Sequence, residues 1–559
     1  MKNSMFRSLK KNSNKIAASS LAGIFSLRTF LLLTAFILAI PATRGQVKSE
    51  EFKRAFSNIN QSVLKAQLGF LASDWMEGRM AGEKGEYIAS DYIASLLQLY
   101  GVRPGGDKIT SRSSGGLIPA GENSYFQNFV LIKTNGSNEH IMKIGQVSGN
   151  TSWSAGLDYN IDFYLGFQNQ SKEIEAPVVF AGYGFKSEKL KHDDLSKLDL
   201  KGKFVLRIAG LPPHARKTLS VTELAECSRE SERIIRSLGA AGIIEFSPGR
   251  LVAGNPAPQK FLDMSPAERR PVPDAMYSEY QLPAGNAEEQ LLRITVSEGT
   301  AAMILKGSGI DPEDYVRRSE SEPYRLSADI KDIRVYIKTT VKKEAVRVRN
   351  IIGIIEGRDP DQYIVLGAHY DHMGSKGGYI WNGADDNGSG TVGILTLAKA
   401  IMETGIKPEK NIIIALWTAE ETGLLGSRYF VDNLPFPRER IKLNLNFDMI
   451  SRYVSDDSPK KVTMTYTDSH PGFRTITEEN LRIHGIDLDV DFQPSPDPPG
   501  GSDHRSFTSA GIPVMRFKPG HREEYHTPAD EVSTIDWDIM ERIVKISFAN
   551  IWQLANSKW

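Results

Sequence analysis

Five short clusters of imidazole and carboxylate groups punctuate the second half of the chain. They are Gly367-Ala-His-Tyr-Asp-His372, Gly383-Ala-Asp-Asp-Asn-Gly388, Ala419-Glu-Glu-Thr422, Asn446-Phe-Asp-Met449 and Tyr525-His-Thr-Pro-Ala-Asp530. Together they offer nitrogen and oxygen donors and no thiolate, a set suited to zinc, manganese or cobalt. One zinc takes three protein ligands and a water. This many carboxylates suggests two ions, roughly 3.5–4 Å apart, sharing a bridging carboxylate and a water. Taken singly, each cluster has a plainer reading. His369 could be a satisfied histidine at a strand end, and His526 a loop histidine. Asp385-Asp386-Asn387-Gly388 could be a turn built of the usual turn formers. Glu420 could be an acid favoured at a helix N-terminus. Asp448 is harder to explain away, because an acid in an apolar strand needs a partner or a metal. Five coincidences at successive strand ends are less economical than one site.

The elements that must position these groups are legible from Val346 onward. "VRNIIGIIEG", "YIVLGAHYD", "NIIIALWTAEE", "LNLNFDMI" and "GIPVMRF" read as strands, "SGTVGILTLAKAIMETG" as a helix, and Asp536 to Leu554 as a closing helix. Near-continuous apolar strands alternating with helices imply an α/β fold with a mostly parallel, doubly wound sheet covered on both faces. Ligands of such sheets bind beyond the carboxyl ends of the strands, where the five clusters fall. Adjacent side chains of an extended chain point in opposite directions, so Glu420 and Glu421 should not do the same job.

Upstream, Ser57 to Ala72 and Gly82 to Gly101 have helical spacing, and Gly105 to Asn123 is a polar loop. From Ile174 to Leu305 the texture changes to short glycine-bounded strands, "APVVFAGYG" and "GKFVLRIAG", and a helix running into a strand, "SRESERIIRSLGAAGIIEFSPG". This block reads as a separate module, left by a polar bridge from Ile310 to Lys331.

A chain of 559 residues is too long for one ordinary core, and two domains are expected. Lys+Arg and Asp+Glu are both 68, so no net field favours nucleic acid or an anionic membrane as partner. The first 28 residues carry Lys2, Arg7, Lys10, Lys11, Lys15 and Arg28 and no acid; an apolar run, Thr29 to Ile40, and Pro41-Ala-Thr-Arg-Gly45 follow. This is the pattern of a secretory signal cleaved near Gly45, and the run is shorter than the roughly 20 residues of a membrane span. The mature chain is therefore expected to be exported, periplasmic or secreted, with no membrane attachment after cleavage. Cys227 is the one cysteine, which excludes an intrachain disulfide and a lipid-modified N-terminal cysteine.

In their order, "GAHYDH…NGADDNGSGT…TAEETGLLGS…NFDMI…GSDHRSF…GIPV…YHTPAD", the motifs resemble the co-catalytic di-zinc exopeptidase family (clan MH). That family includes bacterial leucyl aminopeptidases, glutamate carboxypeptidase II, the glutaminyl cyclases and the non-enzymatic transferrin receptor. "LASDWMEGRMAGEKGEYIASDYIASLLQLYGVRPGG" is similar to the helical lead-in of its exported bacterial members, and "FAGYGF" with "LKGKFVLRIAG" to their inserted, β-rich α+β protease-associated domain. The resemblance implies a signal peptide over 1–45, a lead-in with the first part of the peptidase domain over 46–165, the inserted domain over 166–330 and the catalytic core over 331–559.

The same resemblance implies the roles. His369 and Asp448 would bind one zinc, Glu421 and His526 the other, and Asp385 would bridge, with a cis peptide between Asp385 and Asp386; manganese or cobalt are possible substitutes. Glu420 would be the general base, and Asp371 would orient the His369 imidazole. Asp530 could do the same for His526. His372 and His504 are expected in the wall, with His521 and Tyr525 lining the site. Arg516 and Lys518 follow as either solvated residues or, if they face the site, holders of a substrate carboxylate. The loop from Pro494 to His504 could serve as a rim or lid. The implied activity is removal of N-terminal residues from peptides, with a carboxypeptidase or dipeptidase as the alternative. A glutaminyl cyclase or a non-catalytic peptide-binding protein fits less well with a full ligand set beside a base. The sequence leaves monomer and homodimer both open.

Overall fold

The computed structural model describes residues 50–109, 121–136, 140–154, 156–159, 161–165, 170–248, 278–283, 291–320 and 323–558. The expected signal peptide and the middle of the polar loop, residues 110–120, lie outside them. The chain divides into two units, Met1–Lys53 and Arg54–Trp559. Of the first, only residues 50–53 are described, as the start of a helix. No helix among the described residues is long and apolar enough to cross a membrane.

The second unit is built around a ten-stranded sheet. Its main strands are β1 (Phe126–Gly136), β2 (Ser278–Gln281), β3 (Val341–Ile355), β4 (Asp359–His369), β5 (Lys410–Trp417), β6 (Ile441–Phe447), β7 (Lys461–Thr467), β8 (Asp489–Ser495) and β9 (Val514–Lys518). They lie in the order β2-β1-β3-β5-β4-β6-β9-β7-β8, with the short pair Arg103–Pro104 added to β3. The centre, β5-β4-β6-β9, is a continuous parallel block, and at one edge β8 pairs parallel with β7. β3 pairs antiparallel with β5 and with β1, β2 pairs antiparallel with β1, and β7 pairs antiparallel with β9. The sheet is therefore mixed, not mostly parallel. Parallel neighbours need a crossover, usually a helix; the helix Gly472–His484 provides one between β7 and β8, whereas β6 passes to β7 without one.

β5 shows why this centre forms. All eight residues from Lys410 to Trp417 are buried. Ile413, Ala415 and Trp417 pack with Phe430 and Phe507, from short helices at Leu425–Asp432 and His504–Ser509. The intervening Ile412, Ile414 and Leu416 are buried as well, so the strand has no polar face and its sequence does not alternate. Four longer helices matter to the site: α1 (Gln61–Leu71), α2 (Lys84–Leu99), α3 (Gly390–Glu403) and α4 (Trp537–Asn556). α3 packs against α1, α2 and α4. Asn60 caps α1 by accepting from the amides of Ser62 and Val63, and Asp536 caps α4 by accepting from Ile539.

A second, eight-stranded sheet carries its own core, with Phe163, Phe180, Phe204, Ile244, Ile294 and Val335 among its buried residues. Its strands start at Ile141 and end at Lys338, so they overrun both ends of the 166–330 block. Within that block β2 returns to the large sheet beside β1. The strands at Asn150–Trp153 and Phe163–Leu165 are short, and turn-rich sequence between them hides their pairing.

Candidate metal centre

β4, β5, β6 and β9 end side by side, and each delivers part of one cluster. His369 closes β4, Glu420 and Glu421 follow β5, Asp448 follows β6, and His526 lies in the loop after β9. Asp386 comes from the turn that opens α3. The backbone is left-handed at Ala419 (φ 55°), just before Glu420, at Met449 (φ 57°), just after Asp448, and at His526 itself (φ 57°). Such conformations cost non-glycine residues of order 1 kcal/mol each, so the surrounding packing imposes the aim of these three side chains.

The carboxylate of Asp386 sits between the two histidines. Oδ1 is 3.4 Å from His369 Nε2 and Oδ2 is 3.1 Å from His526 Nε2. Glu421 Oε2 lies 3.4 Å from His526 Nε2, while its Oε1 is held by His372 Nδ1 at 2.6 Å. His369, Asp386 and Glu421 each bring a donor atom within 4.8 Å of the others, and His369, Glu420 and Asp448 form a second such group. Among the described residues, the ion-pair contacts of Asp386, Glu420 and Glu421 are all with histidines.

Clustered acids of this kind need a cation. Burial, reinforced by Asp503 and Asp448 and opposed by His369, holds the Glu420 carboxyl well above the usual range. Burial together with Asp386 and Glu420 does the same to Glu421. Burial alone would raise Asp386 too, but hydrogen bonds from His369 and His526 hold it well below. Burial disfavours the charged imidazole of His369, yet Glu420, Asp386 and Asp448 outweigh it and raise its pKa well above the ordinary value. This nitrogen and oxygen set, buried and rich in charge, fits divalent metal that would displace the shared protons.

The aspartate turn differs by one residue from the expected arrangement. Asp385, expected as the bridge, turns away from the histidines. Its Oδ1 accepts from the amide and hydroxyl of Ser451, at 3.0 and 2.6 Å, and burial pushes it up to about 6. Asp386 takes the position between the imidazoles, and the cis peptide is Asp386–Asn387. Asp530 does not orient His526. It accepts the amides of Asp385 (2.8 Å) and Asp386 (2.9 Å), one on each oxygen, so it fixes the turn. Asp371 does accompany His369, but it is its backbone carbonyl that accepts from His369 Nδ1, at 3.2 Å. Its Oδ1 is 3.7 Å from Nδ1 and accepts the Glu420 amide at 3.1 Å.

The cluster opens into a cleft of about 810 Å³ lined also by Arg516, Lys518, His521 and Tyr525. The Tyr525 ring stacks on His526 with centroids 3.7 Å apart. His504 is buried behind the 499–502 rim, with Nε2 3.3 Å from the Pro499 carbonyl, and does not line the cleft. Arg516 is only 6% exposed, which removes the solvated reading for it.

Two supporting residues had no signal in the sequence. Arg79 is fully buried and donates to four carbonyls, those of Tyr370, Leu71, Asn382 and Gly383, at 2.6–2.9 Å. Asp503, in "GSDH", is fully buried and raises Glu420.

Residues 350–551 match the family model described as peptidase family M28. The chain is 36% identical over 172 residues to leupeptin-inactivating enzyme 1 of Streptomyces exfoliatus, covering 30% of this chain and 34% of that protein. It is 31% identical over 222 residues to a glutamate carboxypeptidase 2 homolog of Caenorhabditis elegans (34% and 28%). It is 46% identical over 103 residues to leucine aminopeptidase 2 of Trichophyton equinum (18% and 19%). The chain thus spans about a third or less of the length of these relatives. Its fold is similar to that of an aminopeptidase from Aneurinibacillus sp. strain AM-1, with a TM-score of 0.54 at 18% identity, over 91% of this chain and 97% of that one.

Proposed function

From a chain that belongs, through residues 350–551, to peptidase family M28, we propose an exported zinc exopeptidase that removes N-terminal residues from peptides. The observation that carries the reading is Asp386, whose two oxygens face His369 and His526 beside Glu421, Asp448 and an unengaged Glu420. Two zinc ions would be held by His369, Asp386, Glu421, Asp448 and His526, and when bound would polarise the scissile carbonyl and acidify a water. Export rests on the basic and apolar N-terminal pattern, and the second sheet is read as the protease-associated module.

The two glutamates divide the remaining work. Glu421 is fixed by His372, as a ligand should be. The Glu420 carboxylate faces the cleft with no hydrogen bond among the described residues, its closest ionic contact there being His369 at 3.9 Å, so it is free to move a proton. It takes one from water and returns it to the leaving amine. Asp371 holds the Glu420 backbone in place for that transfer. Glu420→Gln should lower kcat on aminoacyl p-nitroanilides by at least about a thousandfold while zinc content, measured by atomic emission, stays at two per chain. Undiminished turnover would remove the mechanism, and cleavage of N-blocked peptides alone would turn the reading to a carboxypeptidase.

A further inference from the structure

Of the two candidate ligand histidines, only His369 has its ring held from behind. A metal-binding histidine ordinarily donates its second nitrogen to a carboxylate or carbonyl, which fixes the ring. His369 does so, through Nδ1 to the Asp371 carbonyl. His526 presents Nε2 to Asp386 and Glu421, and its Nδ1 makes no hydrogen bond among the described residues. Its aim must come from its main chain and from the Tyr525 ring stacked on it. That main chain is strained. His526 is the third residue of a turn closed by the Thr527 amide on the Glu524 carbonyl, at 3.0 Å. Its φ of 57° is one that type II turns reserve at this position for glycine or asparagine. Such a conformation persists only where the surroundings impose it. The loop after β6 does so. Arg452, which follows Asp448 by four residues, donates from Nη2 to Glu524 Oε1 at 2.9 Å, both side chains being partly buried. The Glu524 side chain makes no other hydrogen bond among the described residues. The clamp is reciprocal, since Arg522 donates from Nε to the Tyr453 carbonyl at 2.9 Å and pairs with Asp456.

We propose that Arg452 is a positioning residue: through Glu524 it keeps the 524–527 turn in the conformation that aims His526 at the metal centre. The proposal rests on the zinc reading of that centre. It adds a residue that lies outside the cleft lining and would touch neither metal nor substrate. The segment from Asp448 to Arg452 then serves both halves of the centre. Asp448 is a candidate ligand on one side, Ser451 holds Asp385 within the aspartate turn, and Arg452 holds the turn that delivers His526.

The test is zinc binding to the metal-free full chain, followed by titration calorimetry. Arg452→Met and Glu524→Ala should each weaken the more loosely held zinc about tenfold to a hundredfold. The double variant should be no worse than either, because both act through one contact. Arg452→Lys, which keeps a cation for Glu524, should recover most of the loss. In a His526→Ala background, the zinc that remains should be held equally well with and without Glu524→Ala. Charge alone predicts otherwise: losing a cation near the centre would tighten zinc and losing an anion would loosen it. Opposite shifts in the two single variants therefore overturn the proposal. A loss that persists undiminished in His526→Ala overturns it too, since a merely structural contact would give that result. Arg452 also donates to the Thr534 carbonyl. If Arg452→Met fails to fold for that reason, Glu524→Ala and its combination with His526→Ala decide alone. A wild type that binds zinc but hydrolyses no peptide removes the peptidase reading and leaves the positioning role standing. Variants that hold zinc as tightly as the wild type remove the role and leave the peptidase.

Discussion

Asp385 and Asp386 are neighbours of the same chemical type with opposite surroundings, and the difference can be measured. Asp386 faces two imidazoles, whereas Asp385 faces Ser451. Asp386→Asn should lower bound zinc below two per chain and reduce kcat/KM by about a thousandfold or more. Asp385→Asn keeps an acceptor for Ser451 and should retain both zinc ions. A reversal of these outcomes would restore the bridge to Asp385. Sequence could not separate the two, because both fit the turn and both fit a bridge. The side each takes depends on the turn's torsions and on a serine 66 positions away in the chain. His369, Glu421, Asp448 and His526 were legible because strand ends announce themselves through apolar runs that stop at a polar residue. Asp530 stood out in its cluster, but its partners, the Asp385 and Asp386 amides, did not. Arg79 did not stand out, since an arginine after Glu-Gly looks like a solvent-facing loop residue.

At the scale of elements, the helical lead-in is stitched to the strand ends by buried polar contacts. Glu86, on α2, is fully buried. Its Oε1 accepts from Thr418 after β5 and from Tyr370 after β4, the latter at 3.0 Å, and its Oε2 accepts from the Gly82 amide at 2.6 Å. Burial dominates and raises the Glu86 carboxyl from 4.5 to about 8. Between those two values the folded chain retains a proton that the unfolded chain has released. Stability from this group is full below the unfolded pKa and falls as pH rises toward the folded one. Denaturant midpoints of wild type and Glu86→Gln should therefore diverge, with the wild type losing ground to the variant from pH 5 to pH 8. Parallel midpoints would contradict the assignment. Arg79 is a second stitch, and Arg79→Met leaves four carbonyls without their donor. It should cost about 3 kcal/mol or more, seen as a lowered urea midpoint at unchanged slope. The mixed flanks of the sheet belong to this scale too. Individual strands were legible from apolar runs, but their direction depends on where the chain re-enters the sheet, which no local pattern records.

For the whole molecule, the centre couples metal and fold. Five residues from four strand ends and one helix-opening turn meet there, so a cation that binds them favours the folded chain by mass action. Chelation should lower the thermal midpoint by several degrees, with zinc add-back restoring both midpoint and activity; an unchanged midpoint would mean the cluster is rigid without metal. The second sheet was legible as a change of texture but not in extent, because its two edge strands, Asn150–Trp153 and Phe163–Leu165, are short segments lying ahead of that change of texture. One consequence concerns time. The turn from Asn382 to Asp386 is gripped from both sides, by Arg79 on its carbonyls and by Asp530 on its amides. A ribosome makes the first grip early and the second some 450 residues later. A nascent chain therefore carries the turn half-held from its own synthesis until Asp530 follows, 144 positions after Asp386. The order of translation itself keeps the cluster of histidines and acids unassembled until the rest of the molecule is there to surround it.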